Sequence, residues 1–327
     1  MPGLSRMSGF AKKALLIGVK YESSLGEHGQ TLPGAHKDPF RLRDLLIDQY
    51  GYKADDIVIL IDDESGHYVW PTHDNIISAM KELVDDARPG DHFVFSFSGH
   101  GAQVLNEDGT EEDGYDETLV PVDTTYDPAS ETYSTYIKDD LVRQLLWKPN
   151  PDDNFVRMIF DCCHSGTASD LPAAFADNLT SPCSPIATSP RLYGSRGFAL
   201  MQFNPEDWNA PRAWINGRTG SRMRGNSLPL QSPLPDVTSW SACMDSQVTY
   251  GGRRGGMFIQ AFTDALRNDP HQTHAELLQS IRRELAKRMG KRTLDQMKKG
   301  IDQPLTSPRA QLTSLKNISL FHTRFDM

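Results

Sequence analysis

Short apolar runs alternate with longer stretches of helical spacing along this chain. Residues 13–20, centred on Ala14-Leu15-Leu16-Ile17, read as a buried strand. From Asp38 to Tyr50 the spacing becomes helical, with Phe40, Leu42, Leu45, Leu46 and Ile47 available for burial. Residues 57–62 predict a second strand, and 73–87 a second helix stopped by Arg88-Pro89-Gly90. His92-Phe93-Val94-Phe95-Ser96-Phe97-Ser98 is a third strand. The acidic, turn-rich stretch 102–136 follows, with a hairpin expected near Thr118–Val122. Asp140–Trp147 predicts a short helix, and Phe155–Phe160 another buried strand. Strands alternating with helices imply an α/β fold, with a mostly parallel central sheet and helices on both faces.

Residues 171–236 break the pattern. Pro, Ser, Asn and Gly are frequent there and periodicity is weak, as in a functional or disordered connection. Regular spacing returns with a strand over Val237–Met244, a helix over Met257–Arg267 and an amphipathic helix over Thr273–Met289. A last strand is expected within Gln311–Phe321. No internal repeat is present.

A length of 327 residues suffices for one large core or two small ones. The net charge of −9 argues against a general nucleic-acid surface. Four cysteines, two of them adjacent and none in a C-x-x-C pair, make neither a disulfide framework nor a zinc site. Reduced thiols fit an intracellular protein. No apolar run approaches the ~18 residues of a membrane span, and the first residues lack a signal-peptide core, so no membrane association is expected.

Two strand ends carry the chemistry. The strand at Phe155–Phe160 runs into Asp161-Cys162-Cys163-His164-Ser165-Gly166, and the strand at His92–Ser98 runs into Gly99-His100-Gly101. A thiolate is the nucleophilic form of cysteine, and a nearby imidazole can take the thiol's proton and later protonate the leaving amine. In an open parallel sheet, ligands sit beyond the carboxyl ends of the strands. Glycines beside His100 let a substrate backbone approach, and the backbone N–H groups of Gly101 and Cys163 are reasonable donors to a developing oxyanion. Taken alone, a cysteine after a strand is commonly a small buried hydrophobe.

These motifs resemble those of the metacaspases, the caspase-like cysteine proteases of fungi, plants and protists. The resemblance covers nearly the whole chain. It runs through Lys13–Val19, Leu32–Asp38, Asp55–Leu60, Ser98-Gly99-His100-Gly101, Glu111–Glu117, Val120–Asp123, Asp161–Gly166, Asp170-Leu171-Pro172 and Ser241–Gln247, and looks most like type I. It implies one caspase-like domain: an extension over 1–12, a large-subunit-like region over 13–170, a linker over 171–236 and a small-subunit-like region over 237–327. Cys163, immediately before His-Ser-Gly, is then the nucleophile and His100 the base, working as a dyad. Strand alternation puts Cys162 on the opposite face from Cys163.

The resemblance also implies a pocket for Arg or Lys built from Asp38, Asp161 and Ser98, with Ala35 where the family often has Cys. Asp245 and Gln247 lie in a loop near the site. Against this, Asp38 could instead cap a helix beginning at Pro39, and Asp161 could be an ordinary strand-end acceptor. Calcium is the activator the resemblance implies, with Asp116, Asp139 and Asp170 as ligands and Asp140 as a possible fourth. The family's segment before the short helix begins Asp-Asp, whereas this chain has Lys138 at the first position; a one-residue shift restores the pair as Asp139 and Asp140. The bland reading of this acidic run is a solvated loop. Arg191, Arg196, Arg218, Arg222 and Arg224 are candidates for self-cleavage, or solubilise the linker; the basic run Arg282–Lys299 reads as a solvated helix face. Expected partners are peptide substrates with Arg or Lys before the scissile bond, with a monomer in the cytoplasm or nucleus. Two rivals stand beside this reading: an idle scaffold or aggregate-binding protein, and a caspase-fold hydrolase, legumain-like, with another specificity.

Overall fold

Strands buried on both faces need apolar side chains at nearly every position, and the continuous apolar runs form the centre of the sheet. The computed structural model describes residues 10–22, 31–106, 114–127, 132–147, 153–162, 171, 173–174, 235–243, 251–300, 308–316 and 318–327. In chain order the elements are β1 (Lys12–Gly18), α1 (Lys37–Tyr50), a short 3-10 turn (Ala54–Asp56), β2 (Ile57–Ile61), α2 (His73–Val84), β3 (His92–Ser98), β4 (Gly101–Leu105) and β5 (Tyr115–Leu119). There follow β6 (Tyr126–Asp127), β7 (Thr132–Tyr133), β8 (Ile137–Lys138), α3 (Asp139–Leu146), β9 (Phe155–Asp161), β10 (Ala173–Ala174) and β11 (Asp236–Ser241). The last are β12 (Gly251–Gly252), β13 (Gly255–Gly256), α4 (Met257–Asn268), α5 (His274–Lys298) and β14 (Gln311–Ser314).

Among the described residues, seven strands make the main sheet in the order β10-β14-β11-β9-β3-β1-β2. From β2 to β11 all neighbours are parallel; β14 pairs antiparallel with both β11 and β10. Side-chain alternation divides the core into two layers. Leu16, Val94, Ile159 and Trp240 face α1, α4 and α5. Leu15, Ile17, Phe93, Phe95, Phe97, Val156, Met158 and Phe160 face α2 and α3. Arg157, fully buried on β9, is held by the carbonyls of Asp236 and Asp326, both at 2.8 Å, and by the Asp236 carboxylate at 2.7 Å.

Helix ends follow local chemistry. The Thr72 hydroxyl caps α2, a Thr273–Glu276 capping box opens α5, and Gly51, at φ 71°, closes α1 in the left-handed conformation. Some elements differ from expectation. Helix α2 stops at Val84, ahead of Arg88. Helix α5 continues past Met289 to Lys298, because its apolar face ends at Met289 but its backbone does not. The expected strand at Gln311–Phe321 is only four residues long. Instead of a hairpin at Thr118–Val122, strand β5 lies between β4 and β8, antiparallel to both. Beyond it, the Val120 and Val122 amides bond the carbonyls of His100 and Pro71. Among the described residues no helix is long and apolar enough to cross a membrane.

Trp240 stands at the centre of the α4/α5 layer, edge-on to Phe262 and Phe325 and stacked on His274. Removing so large a buried ring leaves a cavity that neighbours fill only in part. Trp240→Ala should therefore cost about 3–5 kcal/mol, visible as a fall in Tm on the order of 10 °C by scanning calorimetry.

Candidate active site

Register places the first side chains of the site. Gly18, Ser98 and Asp161 lie side by side at the carboxyl edge of β1, β3 and β9. Ser98 and Asp161 share a face with Val94 and Ile159, the face covered by α1 and α4. Asp38, in the first turn of α1, approaches from that side. Asp38 and Asp161 are 1% and 5% exposed. Both Asp38 oxygens lie 3.0 Å from the Gly256 amide, and Asp161 accepts from the Ile259 amide at 3.0 Å. Asp38 thus does not cap its own helix; it binds the residue that precedes α4. Asp161 accepts in the first turn of α4, where the helix dipole favours a negative charge. The two glycines of β13 make this approach possible. A Cβ on Gly255 would strike the Asp38 carboxylate, one on Gly256 would strike that of Asp161, and Gly255 holds φ 108°.

Burial, followed by the neighbouring Asp161 charge, pushes the Asp38 carboxyl well above its ordinary range. The Gly256 amide, Ser98 and, more weakly, Arg41 oppose that rise. The Ser98 hydroxyl is close enough to favour the charged carboxylate, yet its Oγ is buried without meeting full hydrogen-bond geometry. Two acids with little water between them make a place where a cation would be welcome.

His100 is buried between β3 and β4, and Tyr21 fixes it. The Tyr21 hydroxyl accepts from the His100 amide at 2.9 Å and donates to the Val120 carbonyl at 2.6 Å. The two rings lie 4.6 Å apart, and the Val120 amide returns a bond to the His100 carbonyl at 3.1 Å. Tyr21 itself has φ 61°, an unusual value for a tyrosine. The buried Asp62 carboxylate holds it there, accepting from the amides of Lys20 and Tyr21 at 2.7 Å each and meeting His36 Nε2 at 2.6 Å. Gly99 has no room for a Cβ against the Tyr21 hydroxyl and the Phe97 ring. Gly101, a candidate oxyanion donor, opens β4.

Strand β9 ends at Asp161, and Cys162 is buried in the α2/α3 layer, with Cys243 Sγ 3.6 Å from its carbonyl. Cys163, the next residue, lies outside the described residues, as do Asp170, Asp245, Gln247, Arg191, Arg196, Arg218, Arg222 and Arg224. Of the expected calcium ligands, Asp116 and Asp139 are buried and Asp140 is half-buried, so these three do not belong to a solvated loop. Nor is the basic stretch of α5 purely a solvated face: Arg282 donates to the Ala310 carbonyl and Arg288 pairs with Asp264.

Sequence reasoning missed Tyr21, Asp62 and the Gly255-Gly256 turn. Tyr21 and Asp62 each follow a strand end, the one signal available. Their partners are dozens of residues away, which no local pattern encodes.

A model of the metacaspase, peptidase C14 domain matches residues 12–172. Metacaspase-1 of Cryptococcus neoformans is 35% identical over 296 residues, covering 84% of this chain and 59% of its own length. Metacaspase-1 of Sclerotinia sclerotiorum is 35% identical, covering 84% and 63%, and metacaspase-1A of Aspergillus fumigatus 35% identical, covering 86% and 67%. The chain thus spans 59% and 63% of the first two of these relatives. In fold, it is similar to a Geobacter sulfurreducens protein of solved structure, with TM-score 0.56 and 18% identity over 97% of this chain and 99% of that one. Caspase-1 from Spodoptera frugiperda has TM-score 0.50 and 12% identity, covering 97% and 89%.

Tyr21→Phe deletes the hydroxyl and removes its bonds to the His100 amide and the Val120 carbonyl in the interior. It should cost about 1–3 kcal/mol of stability. Any peptide hydrolysis that depends on His100 should lose roughly tenfold to a hundredfold in kcat, with KM nearly unchanged, as steady-state kinetics would show.

Proposed function

The chain belongs to the metacaspase family of caspase-like cysteine peptidases, and from that premise we propose that it is an endopeptidase cutting after Arg or Lys. The observation that carries the specificity is the pair of buried carboxylates, Asp38 and Asp161, at the carboxyl edge of the sheet. An incoming guanidinium or ammonium would give these buried carboxylates the cationic partner that desolvation and mutual repulsion make favourable. Ser98 Oγ supplies a further polar atom beside it. The family resemblance adds Asp245 to the residues that shape the same pocket.

In this reading Cys163 and His100 form the dyad. The imidazole takes the proton from Cys163 Sγ, and the thiolate attacks the scissile carbonyl. The Gly101 and Cys163 amides stabilise the oxyanion. The C–N bond breaks as the imidazolium returns its proton to the leaving amine, and water then hydrolyses the thioester, regenerating the thiol. Tyr21 acts through His100, holding its backbone and ring in place. A linker carrying Arg191, Arg196, Arg218, Arg222 and Arg224 is a natural self-cleavage substrate for such an enzyme.

Fluorogenic peptides ending in Arg, Lys, Asp or Asn test the reading. Turnover is expected on Arg and Lys peptides only, and none with Cys163→Ala. Turnover only after Asp or Asn would reject the basic pocket, and no turnover on any peptide would favour an idle scaffold.

The raised Asp38 pKa fixes a sign for pH dependence. Below its raised pKa the free carboxyl holds a proton that a bound cation must expel, so affinity for a cation rises with pH until Asp38 is ionised in the free protein. Agmatine, an arginine side chain without its carboxylate, should bind Cys163→Ala protein more tightly at pH 8 than at pH 5. Asp38→Asn should flatten that dependence and weaken binding by about tenfold or more, both measured by calorimetry.

A further inference from the structure

The described side chains from which a calcium site would be assembled already have hydrogen-bond or ion-pair partners within the protein. Asp116, in the middle of β5, is 2% exposed. Its Oδ1 accepts from Asn106 Nδ2 at 2.5 Å, and its Oδ2 meets Lys138 Nζ at 2.6 Å. Asp139 is buried and accepts the Asp140 amide on its Oδ1 at 2.9 Å. Asp140 pairs with Arg143, one turn further along α3. Among the described residues no three His, Cys, Asp or Glu side chains gather as metal ligands. Asp170 lies outside them.

Calcium takes six to eight oxygen ligands, at about 2.3–2.6 Å. Here a nitrogen cation occupies one oxygen of the central carboxylate and an amide donor the other. The cavity that opens beside it, of about 380 Å³, is lined by Tyr136, Lys138, Asp140, Leu141, Arg143 and Gln144. Two of those side chains are cationic and one is anionic. A divalent ion entering there would have to displace the Lys138 ammonium and then remain next to it. The described donor set does not fit calcium.

The displaced role is visible in the register. Lys138 lies opposite Thr118, two residues along β5 from Asp116 and on the same face, so its ammonium reaches that carboxylate diagonally. Asn106 immediately follows β4, whose Val104 pairs with Asp116. One carboxylate therefore ties together the three strands β4, β5 and β8. Strand β4 begins next to His100, and Val120, just past β5, bonds the His100 carbonyl.

We propose that the Lys138 ammonium is a built-in replacement for a calcium ion: it neutralises Asp116, locks the β4–β5–β8 sheet against His100, and makes the peptidase active without calcium and indifferent to it. This rests on the peptidase reading above. A covalently attached cation cannot exchange with the solvent, so the site carries its charge permanently.

Binding and activity are measured separately, on the full chain. Cys163→Ala protein titrated with calcium chloride should show no binding heat in the millimolar range and no change in Tm relative to EGTA. Lys138→Asp in the same background should gain both. In the active protein, cleavage of an Arg peptide in EGTA should stay within about twofold of that with millimolar calcium, while Lys138→Asp should become at least about tenfold calcium-dependent. Lys138→Met, which removes the charge without adding a ligand, should lower Tm by about 5 °C and reduce calcium-free activity. Calcium binding to the Cys163→Ala protein, or strong calcium activation of the active one, would overturn the proposal. So would a Lys138→Met protein with unchanged Tm and full activity in EGTA. Absence of cleavage under every condition would strike the peptidase reading instead, and the titration would still decide the role of Lys138.

Discussion

Two carboxylates buried side by side set the terms for the rest of the site. Neither Asp38 nor Asp161 could stay there without donors, and both donors come from the start of α4. The β13 glycines exist at that point because any side chain would collide with an acid. Strand β9, helix α1 and helix α4 therefore meet at one electrostatic feature, with like-charge repulsion and desolvation pushing one way and amide dipoles the other. The compensation is partial, as the raised Asp38 pKa records. An incompletely compensated charge at a strand edge is a ready receptor for a cation.

The histidine side of the site follows a different logic. Its geometry is mechanical rather than electrostatic: one hydroxyl bridges two loops, and a buried aspartate holds the backbone that carries the hydroxyl. Tyr21 accepts an uncommon backbone angle as part of that arrangement, and Asp62 makes it tolerable. The Asp116–Lys138 pair extends the same support from the other side, through the small three-stranded sheet.

Much of this was legible in the residues. The runs at Leu15–Ile17, Phe93–Phe97 and Val156–Phe160 have no polar alternation to speak of, so their place in a doubly covered sheet followed directly. The positions of Asp38, Ser98, Asp161 and His100 at strand and helix ends followed from motif and spacing. What escaped was long-range or silent in composition. Helix α5 outruns Met289 because an exposed helical turn leaves no apolar stripe to read. The pairing of β5 with both β4 and β8 depends on partners that a local turn signal does not reveal. A tyrosine at φ 61° and a glycine pair packed under two acids owe their meaning to neighbours far along the chain. Lys138 stood out as a departure from the family's pattern, but only the structure shows that its ammonium reaches Asp116.

Strands β9 and β11 lie on either side of the arginine-bearing connection, yet they pair over six consecutive residues. Helix α4 from the later part packs on α1 from the earlier part, and Arg157 grips the carbonyls of Asp236 and Asp326. A nick anywhere in that connection would sever the polypeptide without parting its two pieces. They would travel as one particle through a sizing column and separate only on a denaturing gel, so maturation by such a cut would leave no trace in the hydrodynamic radius.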